Sequence, residues 1–96
     1  MVSINEELKA AKAAKTAIDV LLTATFKSSV LATLGKANNA AILNLSSGGA
    51  LNEARAKVGI ALSNVIHGHG PPTPLSIDRA KVAIDVWIRE LEAVKP

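Results

Sequence analysis

Apolar side chains recur along the first third of the chain at helical spacing. Ile4, Leu8, Ala11, Ile18, Leu21, Leu22 and Phe26 share one face at 100° per residue. Ser3 followed three residues on by Glu6 has the form of a capping box, which starts this helix at Ile4. Beyond Thr25 the apolar phase drifts, because Val30, Leu31 and Leu34 leave the face. Thr23, Thr25, Ser28 and Ser29 compete with the backbone for hydrogen bonds and predict a bend or break between Ala24 and Ser29. With Gly35 as its stop, the helix covers 4–34 and would be roughly 45 Å long if unbroken.

Asn38 or Asn39 is placed to cap a short helix over 40–45, closed by Ser46, Ser47, Gly48 and Gly49. A third helix is predicted over 50–66, with Leu51, Ala54, Val58, Ala61, Leu62 and Val65 as its core face. Two Gly and two Pro within His67–Pro72 interrupt the helical run. Thr73 with Pro74 then reads as an N-cap followed by proline at the first helical position of a last helix, 74–94. No segment alternates with a period of two between turn signals. The fold class expected is all-α: one domain over 1–96, a small bundle of three main helices, the first long and bent, plus one short helix.

The last helix carries more apolar surface than one core contact needs. Ile77, Ala80, Ile84, Trp87, Ile88 and Leu91 form its inner stripe, while Leu75, Val82, Val86 and Ala93 form a second, about 160° away. The first helix repeats the plan with Ala13, Val20, Ala24 and Leu31. A chain this short leaves much of its surface exposed, so two opposed stripes predict either cover by another element of the same chain or self-association. A homo-oligomer joined through these eight residues is the expectation. The stretch AKTAIDVLL (14–22) also returns as AKVAIDVWI (80–88), and RAKVGI (55–60) as RAKVAI (79–84). Such echoes arise when alanine-rich helices reuse few letters, or from a repeated unit that packs with pseudo-symmetry.

Composition narrows the partners. With 49% hydrophobic and 20% charged residues among 96, the chain is too apolar for disorder. No run reaches the length of a membrane span, and the start lacks a signal-peptide layout. Without cysteine there is no disulfide or thiolate site, and a cytoplasmic home is expected. The net charge of +3 is mild. Lys9, Lys12 and Lys15 spread around their helix, and the one Phe and one Trp fall at core positions, which argues against nucleic acid. Asp19, Asp78, Asp85 and Glu92 break up any basic face that could lie on a membrane.

Candidate chemistry is sparse. His67 and His69 offer two imidazoles where a zinc site needs three or four ligands. Ser46, Ser47, His67, His69 and Asp78 supply hydrolase residue types without a motif that assembles them. No cofactor is expected. Two Gly-containing loops do lead into helix starts, where free N–H groups and the dipole favour anions. Ser46, Ser47, Gly48, Gly49, Arg55 and Lys57 at the first, and Thr73, Arg79 and Lys81 at the second, are the candidate residues for a small phosphate-bearing ligand or nucleotide. The leading functional expectation is a non-enzymatic, oligomeric assembly, adaptor or inhibitor module that docks protein partners through apolar helix faces. Sequestering a small anion comes second, and a metal-dependent or hydrolytic enzyme third.

Overall fold

The computed structural model describes residues 3–21, 28–45, 48–67 and 73–94. These form four helices: α1 (Ile4–Leu21), α2 (Ser28–Leu43), α3 (Ala50–Ile66) and α4 (Pro74–Val94). The described residues contain no strand, so the all-helical class holds. Each helix packs on two neighbours, α1 on α2 and α4, and α3 on α2 and α4. In section the bundle is a square with α1 diagonal to α3 and α2 diagonal to α4. It measures 37 × 20 × 20 Å, shorter than the 4–34 helix drawn unbroken.

The division into helices differs from the expectation. The long first helix and the short 40–45 helix are replaced by α1, of 18 residues, and α2, of 16. The proposed bend falls mostly on residues 22–27, outside the described residues, as do Ala24 and Phe26. Gly35 is not a stop but an interior residue of α2, and Asn38 and Asn39 are interior as well. The reason lies in packing. Val30, Leu34, Ala37 and Ala41, spaced at i, i+4, i+7 and i+11, form a stripe of their own that is buried in the core. Burying it outweighs the roughly 1 kcal/mol by which an interior glycine weakens a helix.

Local signals at the other helix starts hold. The Glu6 N–H donates to Ser3 Oγ at 3.1 Å. At α4 the cap is reciprocal: the Ser76 N–H donates to Thr73 Oγ1 at 3.1 Å, and the Thr73 N–H to Ser76 Oγ at 3.0 Å. At α3 the backbone does the work. Gly48 and Gly49 have φ of 82° and 91°, a region other residues enter only with strain.

The core is built from Leu8, Ile18, Leu34, Val58, Leu62, Ile84, Trp87 and Leu91 around many fully buried alanines, which let the helices approach closely. The echoed segments meet here. α1 and α4 lie side by side, and Lys15 Nζ pairs with Asp85 Oδ1 at 3.1 Å while Lys81 Nζ pairs with Asp19 Oδ1 at 3.2 Å. Lys15 and Lys81 are equivalent positions of the echo, as are Asp19 and Asp85, so the two segments exchange ion pairs reciprocally across a local pseudo-twofold. Lys12 and Glu92 extend the same seam at 4.0 Å.

Candidate functional site

At the end of the bundle where α1 and α3 begin and α2 and α4 finish, three residues converge on the Glu7 carboxylate. Glu7 sits on the α1 core stripe, one turn before Ala11, and is fully buried. Its Oε1 accepts from Asn44 Nδ2 at 2.7 Å and from Arg55 Nη2 at 2.8 Å. Its Oε2 accepts from Arg55 Nε and from Trp87 Nε1, both at 2.8 Å. Arg55 Nη1 also donates to the Asn44 carbonyl at 3.0 Å. Burial pushes the Glu7 carboxyl upward, but the hydrogen bonds from Arg55, Asn44 and Trp87 and the charge of Arg55 outweigh it and hold the group below its ordinary value. Both oxygens are committed, so this is a closed knot joining all four helices, with no face for a reactant.

The knot corrects the reading of Arg55. Instead of reaching for an anion at the start of α3, its guanidinium turns inward and is spent on Glu7 and Asn44. The remaining anion candidates come together only in part. Gly48 and Gly49 lie at one end of the bundle, Lys57, Thr73 and Arg79 border one groove between α3 and α4, and Ser46 and Ser47 are outside the described residues. Lys81 faces α1, where it pairs with Asp19. His67 is exposed at the end of α3, its N–H bonded to the Ser63 carbonyl at 2.8 Å. His69 lies outside the described residues. Among the described residues no three His, Asp or Glu side chains gather where they could hold a metal.

Among the described residues, an open groove of about 640 Å³ runs between α3 and α4. Small residues floor it: Ala54 is buried, and Ala61 and Ala83 are half-buried. Its lips are apolar and wet: Ile60 is 67% exposed, Val82 64%, Leu75 59% and Val86 37%. Lys57, Asn64, Thr73, Ser76, Asp78 and Arg79 complete the lining. Three of the four α4 residues assigned to the second stripe therefore border one concave surface, and Ala93 continues the same helix face, exposed.

The stripe predicted on the first helix is placed elsewhere. Ala13 and Val20 are exposed on α1, and Leu31, half-buried, belongs to α2. The ion-paired α1–α4 seam separates Ala13 and Val20 from the groove, and Leu31 lies on the helix diagonal to α4, so the described residues of the two stripes do not form one surface. Sequence reasoning missed Ile60, whose signal was its place on α3 almost opposite Val58. It also missed Glu7, whose signal was a charge in the middle of an otherwise apolar stripe. Compared with known protein families, curated proteins and solved structures, the chain matches none.

Proposed function

We propose that the protein is a non-enzymatic assembly module that binds a helix presented by a protein in the α3–α4 groove. The observation that carries this reading is the apolar lip. Ile60, Leu75, Val82 and Val86 face water around one concavity although the same chain buries Trp87, Leu91 and Leu62 completely. Covering a Val, Leu or Ile side chain is worth roughly 1.5–3 kcal/mol, so this face holds an unmet driving force for association. A groove between two helices with small residues along its floor suits the apolar edge of a third. The adaptor and inhibitor roles follow from the same surface, and the cytoplasm is the compartment proposed for it. No helix among the described residues is long and apolar enough to cross a membrane.

The small-anion reading has less behind it, since Arg55 is bonded to Glu7, Lys81 is paired with Asp19, and Gly48 and Gly49 lie at the other end of the bundle from Thr73 and Arg79. The test compares proteins co-purified with tagged wild type and with Ile60→Asp and Val82→Asp. Both sites are exposed, so folding stability should change by no more than about 0.5 kcal/mol. Proteins retained by the wild type, further copies of this chain included, should be lost by both variants. Identical retention by all three would defeat the reading.

A further inference from the structure

We infer that the helix received at the α3–α4 face is α4 of a second copy, running antiparallel across a twofold axis at the level of Ile84. This rests on the reading of that face as a docking surface and names its occupant. The outer face of α4 is a chemical palindrome about Ile84. Val82 and Val86 stand two residues to either side, Arg79 and Arg89 five, Asp78 and Glu90 six, and Leu75 and Ala93 nine. On the helical wheel Leu75, Val82, Val86 and Ala93 form the central line, with Arg79 and Glu90 along the α3 flank and Asp78 and Arg89 along the α1 flank. Antiparallel pairing sets Val82 against Val86 of the second copy and Leu75 against Ala93 of the second copy. It brings Arg79 within about 1.5 Å of axial register with Glu90 of the second copy, and Arg89 likewise with Asp78.

A second observation separates these four charges from the rest of α4. Lys81, Asp85 and Glu92 are all ion-paired with α1. Asp78, Arg79, Arg89 and Glu90 have no such partner among the described residues, although they flank the apolar line on both sides. Parallel pairing of α4 alone would also set arginines beside acids, Arg79 with Asp78 of the second copy. The direction is decided by α3. In the antiparallel arrangement the groove and Ile60 face the second copy's groove and α3, apolar against apolar. In the parallel one they would face the charged α1–α4 seam.

The test is sedimentation equilibrium of the full chain across the micromolar range. Wild type should be a dimer. Arg79→Glu should raise the dissociation constant by roughly tenfold, since it turns both symmetry-related pairs into repulsion. Adding Glu90→Arg in the same chain should restore wild-type affinity, because reversing both members recreates the pair. In a parallel dimer that double variant would be weaker still. A monomeric wild type, an unchanged single variant or an unrescued double variant overturns the inference. If a monomeric wild type nonetheless retains a protein that Val82→Asp loses, only the occupant is wrong and the groove reading stands. If nothing is lost, both fall.

Discussion

Glu7 is the residue on which the fold is most sharply balanced. A carboxylate fully inside a bundle is tolerated because a side-on guanidinium, an amide and an indole complete its hydrogen bonding. Glu7→Leu leaves the Arg55 charge buried without a counter-ion and should lose about 3–5 kcal/mol in urea denaturation. That is a large share of the roughly 5–15 kcal/mol that holds a domain of this size. Arg55→Leu should then change sign with background, destabilising the wild type but stabilising the Glu7→Leu variant. Acid should act through the same group. The carboxyl titrates below its unfolded value of 4.5 when folded, so its contribution is complete above that value and is lost as pH falls through the folded pKa. The melting temperature should be level from neutrality to about pH 5 and drop below about pH 4, and the Glu7→Leu variant should lack that acid limb. Trp87, the only tryptophan, donates to Glu7, so its fluorescence should follow the same titration.

Among the elements, α2 carries the lesson. Its two opening serines, its glycine and its two asparagines all read locally as punctuation, yet they sit in one continuous helix. A Cβ at Gly35 would meet nothing within 4 Å. Gly35→Ala should therefore stabilise the protein by about 0.5–1 kcal/mol, read as a higher denaturation midpoint with unchanged slope. No change or a loss would show that α2 needs the glycine. The repeated string RAKV(G/A)I makes the same point from the other side. In α3 its alanine, Ala56, is exposed and its valine, Val58, is buried. In α4 Ala80 is buried and Val82 is exposed. Identical letters present opposite faces because neighbouring residues, Ala54 and Leu62 in one helix and Ile77 and Trp87 in the other, decide which side turns inward. The same rotation buries Arg55 and leaves Arg79 in water.

For the whole molecule, the described residues leave a concave apolar face between α3 and α4 exposed, and Val86 lies within it. Val86→Asp should abolish association in sedimentation while the melting temperature stays within a few degrees of wild type, since the side chain is already partly wet. A collapse of the fold would instead mean that the face is structural. The α1–α4 seam gives the contrasting case. Its ion pairs are about half-exposed, so Lys15→Ala should alter stability by less than about 1 kcal/mol.

Periodicity and capping were enough to specify helices, the beginnings of α1 and α4, the extents of α3 and α4, and the inner and outer stripes of α4. Each of these depends on residues within a few turns of one another. The number of helices, the inward turn of Arg55 and the meeting of Glu7, Asn44, Arg55 and Trp87 depended on partners up to eighty residues apart. So did the joining of Ile60 to the α4 stripe. Whether a charge in an apolar stripe is buried or a glycine ends a helix is settled by the free energy of the assembled core, and that quantity is not local to any stretch of chain.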